Sequence, residues 1–294
     1  MSSQDNQKSV SLVLGSGGAR GLVHIGIIKW LEEHNYEIKS ISGCSIGSLI
    51  GGVYAAGKLD KLEEWMKSIT NYDIINQLDL SWSSNGLFKG EKIINTLVDL
   101  LEDVKIEDLD IPFTAVAADI LSGREVWINK GSLFDAIRAS ISLPLFFDPV
   151  HRGDDVLIDG GVLNPVPIAP TLNDDTDLTI AVDLGADPIN ENQNKEDENE
   201  EEASAIELGI KKIVETLGWK DSKPKKLNLG MYNVAIKAFD AMQSTIARQK
   251  SAAYPPDVEI LFARDLCGTF EFDRADELIE LGYNEIDRVI SNKN

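Results

Sequence analysis

A chain of 294 residues, 43% hydrophobic and 26% charged, is long enough to bury a sizeable core as one large α/β domain or as two smaller ones. Its formal net charge of −21 repels phosphate backbones, which excludes nucleic acid as a partner and disfavours broad adhesion to anionic membranes. No apolar run reaches the roughly eighteen residues that a membrane-spanning helix needs. The opening MSSQDNQKSV lacks the basic-then-apolar pattern of a secretory leader. Cys44 and Cys267 form neither a metal spacing nor a disulfide framework, so the expected compartment is the reducing cytoplasm.

Val10 to Leu14 (VSLVL) is short, partly β-branched and runs straight into Gly15, which reads as a buried strand. GSGGARG follows, from Gly15 to Gly21. In the next stretch, LVHIGIIKWLEEH, Leu22, Ile25, Ile28 and the pair Trp30 and Leu31 recur at helical spacing. A second strand is predicted over Ile38 to Ser42. A second helix is predicted over Ser45 to Ala56, with Gly57 as its C′ residue. Two strand-turn-helix units in succession predict an α/β fold with a largely parallel sheet and helices on its faces. Residues 58 to 104 read as helical. FTAVAADI and GREVWIN read as strands joined through Ser122 and Gly123. LFDAIRAS is helix-like and ends before the apolar ISLPLFFDPV. Val156 to Ile158 is a brief strand entering Asp159-Gly160-Gly161, and DLTIAVDLG supplies another core strand.

Composition then shifts sharply. Asn190 to Glu202 (NENQNKEDENEEE) is acidic and free of aromatics, the pattern of a mobile or disordered loop. Helices are expected over 204 to 218 and 228 to 250, followed by the strand DVEILFA and a last helix from about Ala275. The resulting division is an α/β core over 8–188, an acidic loop over 189–203 and a mostly helical extension over 204–294 packed on the core. Leu229, Tyr232, Ile236, Phe239, Met242 and Ile246 form an apolar stripe expected to pack on the main domain. A homo-oligomer formed through the C-terminal helices, or a lid, is the alternative. Lys211, Lys212, Lys220, Lys223, Lys225 and Lys226 surround Trp219. They read as a solvated linker balancing the acidic tract, or as a transient membrane-surface contact.

Three glycine-containing turns carry the chemistry. Each follows a predicted strand, and turns at the carboxyl ends of parallel strands gather in one crevice. GSGGARG offers backbone N–H groups at a helix start, a ready anion site. It lacks the Gly-Lys-Ser/Thr of a phosphate-binding loop, and Arg20 stands at the third position of a dinucleotide fingerprint. GCSIG puts Gly43 and Gly47 two residues to either side of Ser45, as a nucleophile elbow requires, since a Cβ there would collide with the tight turn. The plain alternative is an N-cap serine in a flexible joint, with Cys44 as a rival nucleophile. LIDGG ends a strand on Asp159, which reads either as a base or as an aspartate shaping its own turn. A serine needs a proton acceptor and its oxyanion needs preorganised donors. Ser45, Asp159 and the amides of Gly17 and Gly18 supply these parts.

GSGGARG, GCSIGS, AIRASISLPLFFDPV and LIDGGVLNPVP, in this order and spacing, resemble the patatin-like phospholipases. The likeness is greatest to small bacterial RssA-type members related to the neuropathy-target-esterase branch, and it covers about residues 8 to 188. The C-terminal YPPDVEILFA and FEFDRADELIELG resemble that subgroup too. The resemblance implies a three-layer α/β/α sandwich and a serine acyl-ester hydrolase acting on a lipid or other acyl ester. It implies a Ser45-Asp159 dyad, an oxyanion hole from Gly17, Gly18, Arg20 and the Ile46 amide, and motif glycines at Gly15, Gly21, Gly43, Gly47, Gly160 and Gly161. Ser16 stands where that family often has glycine. Leu143, Leu145, Phe146 and Phe147 are expected either to line an acyl pocket or to serve as core. No metal or cofactor is implied. Of the three histidines, His24 is expected to be packed or hydrogen-bonded near the first turn and His34 to be solvated. His151 is the triad alternative. A catalytically silent lipid- or protein-binding regulator with the same fold remains the rival reading.

Overall fold

A computed structural model describes residues 7–69, 90–144, 146–188 and 229–293, with residues 229–233, 235 and 236 described by their backbone alone. The acidic tract, the Lys-rich segment, the helix expected over 204–218, Leu145, and the side chains of Leu229, Tyr232 and Ile236 lie outside the described residues.

The first unit is β1 (Lys8–Leu14), a tight 3₁₀ turn over Gly18–Leu22 and α1 (Val23–Glu33). The second is β2 (Tyr36–Cys44) and α2 (Ile46–Ala55), closed by Gly57 with φ 68 in the left-handed region expected of a C′ residue. Next come α3 (Leu59–Ser68), α4 (Glu91–Leu101), β3 (Phe113–Asp119), β4 (Arg124–Ile128) and α5 (Leu133–Ser140). They are followed by the short β5 (Val150–Arg152), β6 (Asp155–Asp159) and β7 (Leu178–Ala186). The described C-terminal part holds α6 (Leu229–Ala253), β8 (Val258–Ala263) and α7 (Ala275–Ser291).

Among the described residues, eight strands form one mixed, mostly parallel sheet. β8, β7, β1, β2 and β3 lie side by side and parallel. Alternation along β1 and β7 sorts the core onto two faces. Val10, Leu12, Leu14, Ile180, Val182 and Leu184 join the large cluster with α1, α2, α5 and α7. Val13 and Ala181 face the other way, toward Val166, Ile168 and Ala247 of α6. The result is helix, sheet and helix in three layers.

The two C-terminal helices are held by different physics. α7 docks on α1 where two glycines let backbones approach: a Cβ on Gly26 would lie 1.9 Å from the Ile279 carbonyl oxygen, and one on Gly282 would lie 2.1 Å from that of Val23. Around this crossing α7 buries Leu278, Ile279, Ile286 and Ile290, each side chain contributing about 1.5–3 kcal/mol. The described members of the stripe expected to pack α6 are not its most buried residues. Met242 and Val234 are exposed, Phe239 and Ile246 half-buried, and the buried face is Gln243, Ser244 and Ala247. That face packs through polar contacts: Gln243 to Ser16, Ser244 to the Gly185 carbonyl, Asp240 to Arg20 and Lys250 to Glu125. Each is worth about 1 kcal/mol net. Among the described residues no helix is long and apolar enough to cross a membrane.

β6 does not run parallel with its neighbours; it pairs antiparallel with β3 and forms a hairpin with β5. β4 occupies one edge of β3 over Ala115–Asp119. β2, over Phe113–Val116, and β6, over Ala117–Asp119, therefore share the other edge and meet head to head. Asp119 anchors this junction, since its carboxylate accepts from the Val156, Leu121 and Ser122 N–H groups.

The glycine crossing sets an order of stabilities. Gly26→Ala should lose about 3 kcal/mol in urea denaturation through overpacking against Ile279. Gly57→Ala meets open space and should lose only the 1–2 kcal/mol or so of a left-handed side chain. The reverse order would contradict the close α1–α7 approach.

Candidate active site

The GCSIG segment turns sharply from β2 into α2. Ser45 has φ 55 and ψ −123, a conformation that costs a non-glycine residue about 1–3 kcal/mol. Four contacts enforce it: the Ser45 N–H donates to Ser140 Oγ at 2.9 Å, and the Ser45 carbonyl accepts from the N–H groups of Ser48 and Leu49 and from Ser48 Oγ. The flanking glycines are sterically required. A Cβ on Gly43 would lie 2.5 Å from the Gly47 carbonyl oxygen, and one on Gly47 would lie 2.1 Å from that of Leu14. Ser45 occupies the N-cap position of α2, yet its side chain caps nothing there. Half-buried, it acts instead on the Asp159 carboxyl, which it holds below the value that burial alone would set.

Asp159 reaches Ser45 because two strands collide. Cys44, the last residue of β2, is level with Val116 on β3, and Asp159, the last of β6, is level with Ala117. The Asp159 N–H donates to the Ser142 carbonyl at 2.9 Å, and its Oδ1 accepts from the Gly161 N–H at 2.8 Å. The aspartate thus does shape its own turn, while also receiving Ser45. Burial, at 1% exposure, pushes its carboxyl up to about 6, against hydrogen bonds from Ser45, Gly161 and Cys44 that pull it down. Cys44 lies fully buried with Sγ 3.8 Å from Asp159 Oδ1. Burial and then the neighbouring carboxylate raise its thiol well above the usual value, so it stays protonated and a poor nucleophile.

In the glycine turn, the N–H groups of Gly15, Ser16 and Ala19 are taken by the carbonyls of Val182, Pro165 and Thr269. Gly17 and Gly18 lie between them, and among the described residues no loop carbonyl takes their N–H groups. Ile46 opens α2, so its N–H is a first-turn donor without an intrahelical acceptor. Arg20 differs from the expected donor role. Only 4% exposed, its guanidinium donates to the carbonyls of Gly17, Leu184 and Arg264 and pairs with Asp240 at 3.5 Å. It braces the turn from behind. His24 supports the same turn: its Nε2 lies 3.0 Å from the Gly15 carbonyl, and burial lowers its pKa to about 4, keeping it neutral.

The three turns touch pairwise. A Cβ on Gly21 would lie 2.3 Å from Ile46, one on Gly160 would lie 3.1 Å from Cys44 Sγ, and one on Gly161 would lie 2.9 Å from Ser16 Oγ. Gly15, at 2.5 Å from the Val182 carbonyl by the same measure, fixes the turn to β7. Neither of the other histidines joins them. His34 is exposed and stacked on Trp30, and His151 is exposed on β5, three residues of β6 away from Asp159. Near Asp159, Leu143 and Phe147 are half-buried. Phe146 is 6% exposed against Phe270, and the Arg138 guanidinium sits 5.7 Å from the Phe147 ring. A cavity lined by Ser16, Arg20, Asp183, Asp240, Gln243 and Arg264 lies behind the glycine turn and does not include Ser45 or Asp159. Among the described residues no group of three or more His, Cys, Asp or Glu side chains is arranged to hold a metal ion. Sequence reasoning missed Ser140, Gln243 and Thr269. Ser140 closes the predicted helix LFDAIRAS, and the other two carry no local signal.

The family model described as patatin-like phospholipase matches residues 12–172, which contain the glycine turn, Ser45 and Asp159. The chain belongs to the patatin-like phospholipase family. This patatin-like chain is 35% identical to an uncharacterized NTE family protein of Mycobacterium tuberculosis, with 93% of this chain and 89% of that protein aligned. It is 34% identical to neuropathy target esterase sws of Drosophila melanogaster over 60% of this chain and 13% of that protein. Among solved structures, VipD from Legionella pneumophila aligns with a TM-score of 0.46 at 14% identity, covering 97% of this chain and 67% of that one.

The buried carboxyl gives a signed prediction. A group whose folded pKa, about 6, exceeds its unfolded value near 3.9 binds its proton more tightly when folded. Ionising it therefore destabilises the fold as pH rises from about 4 through about 6. Asp159→Asn should raise stability at pH 7.5, on the order of 2–3 kcal/mol, with the gain shrinking toward pH 4. Thermal unfolding at both pH values checks this, and an equal melting temperature at pH 7.5 would contradict the strained carboxylate.

Proposed function

We propose that the protein is a serine acyl-ester hydrolase acting on a phospholipid, lysophospholipid or related lipid ester through a Ser45-Asp159 dyad. The observation that carries this reading is the meeting of two strand ends, which sets an elbow serine at φ 55 beside a buried, proton-avid carboxylate. Ser45 Oγ attacks the ester carbonyl carbon while Asp159 accepts the hydroxyl proton. The carbonyl oxygen becomes an oxyanion facing the N–H groups of Gly17, Gly18 and Ile46. Collapse of the tetrahedral species expels the alcohol, which takes the proton held by Asp159, and leaves an acyl-Ser45 ester. Water, deprotonated by Asp159, attacks that ester and releases the acid.

A carboxylate near 3.9 is a weak base for serine, and a value of about 6 makes the transfer less uphill at neutral pH. General-base assistance is worth about 10²–10⁴-fold, and one oxyanion donor about 10²–10³-fold. The family match and the name of the Drosophila relative support an esterase chemistry. Arg20 and His24 act here by holding the glycine turn, not by touching substrate.

A fluorophosphonate probe should label Ser45 and fail to label Ser45→Ala. An unlabelled wild type with no esterase activity would sink the enzyme reading in favour of a silent binding protein. On p-nitrophenyl esters, Asp159→Asn should lose about 10²–10⁴-fold in kcat while His151→Ala retains wild-type turnover. The opposite pattern would replace the dyad with a triad. For wild type, kcat/KM should fall as pH drops through about 6, because the base must be ionised to act.

A further inference from the structure

The segment between β8 and α7, Arg264 to Phe272, links the glycine turn to the loop that follows α5. At one end its Arg264 carbonyl accepts from Arg20, and its Thr269 carbonyl accepts from the Ala19 N–H at 2.9 Å. Thr269 lies so close to the glycine turn that a Cβ on Gly18 would come within 2.5 Å of its carbonyl oxygen. At the next residue, the Phe270 ring packs on Phe146 with centroids 4.8 Å apart and planes tilted by 52°. Phe146 belongs to the loop that begins at Ser142, whose carbonyl holds the Asp159 N–H. The strap is fixed internally as well. Glu271 accepts from the Gly268 N–H at 3.0 Å and pairs with Arg274, which also donates to the Leu266 carbonyl.

We propose that Phe270 is a specificity-determining residue: with Phe146 it forms the apolar wall that limits the length of acyl chain held beyond the glycine turn. This rests on the reading of the site as an acyl-ester hydrolase. Thr269 packs on the glycine turn that supplies the Gly17 and Gly18 amides, and the next residue is Phe270, so in this proposal the acyl substituent of an ester held there runs along the strap past Phe270. The apolar substituent is favoured on an apolar wall that is already largely removed from water. Phe146 is nearly buried and Phe270 half-buried, so their contact leaves little room for a longer chain until one ring moves or is cut back.

The test compares p-nitrophenyl butyrate with p-nitrophenyl laurate on the full chain. Phe270→Ala and the milder Phe270→Leu should raise the laurate-to-butyrate ratio of kcat/KM, Ala by about tenfold or more, and Phe270→Trp should lower it. Labelling of Ser45 by a small fluorophosphonate should proceed at the wild-type rate in all three, showing the nucleophile intact. A ratio unchanged to within about twofold in the active Ala and Leu variants overturns the wall. A wild type that neither labels nor hydrolyses either ester overturns the hydrolase reading and this inference with it; an active wild type with an unchanged ratio overturns only the role of Phe270.

Discussion

Everything at the site depends on two strands sharing one edge of β3. β2 arrives from one direction and stops at Cys44, level with Val116; β6 arrives from the other and stops at Asp159, level with Ala117. Adjacent positions along one strand then bring a serine and a carboxylate together from 114 residues apart. Gly160 lies 2.2 Å, at its notional Cβ, from the Val116 carbonyl oxygen, and Ser140 Oγ donates to that same oxygen while receiving the Ser45 N–H. One carbonyl of β3 is therefore the common reference for the Ser45 elbow and for the Asp159 turn.

The same junction makes the carboxylate unusual. The meeting point of two strand ends lies inside the sheet's edge, where water is excluded, and burial outweighs the neighbouring groups that hold the Asp159 carboxyl down. A carboxylate in that position destabilises the fold when ionised, and the surrounding sheet holds it there. Ser45 is strained in the same place, at φ 55. Local strain of this kind persists only where neighbours over-determine it, and four hydrogen bonds to Ser45 together with the close packing at Gly43 and Gly47 do so.

The C-terminal part reaches this site by two routes. β8 and α7 are integral to the main core, through parallel pairing with β7 and apolar packing on α1. α6 instead lies on the opposite face through Gln243, Asp240 and Ser244, and the first two of these touch the glycine turn at Ser16 and Arg20. The glycine turn, proposed to hold the oxyanion, is thereby backed by a polar network, which fixes direction better than apolar contact does. The strap after β8 closes the other side of that turn.

The sequence alone determined the parts that depend on local sterics. Gly43-x-Ser45-x-Gly47 specified an elbow, because any Cβ at the flanking positions collides with backbone; the strand-turn-helix order specified a mostly parallel sheet, and the four quoted motifs specified the family. The direction of β6 was not legible, since LIDGG reads the same in a parallel or an antiparallel strand. Nor was the packing face of α6, whose apolar periodicity pointed to Met242 and Ile246 while the buried positions are Gln243, Ser244 and Ala247. There the partner surface is the carbonyl of Gly185, the hydroxyl of Ser16 and the guanidinium of Arg20, so polar and small residues fit it better than apolar ones. Arg20's place behind the turn, Ser140 beneath the elbow and Phe270 across the crevice were likewise decided by tertiary structure. Each acts through a residue far away in the chain, and no local pattern encodes a contact of that kind.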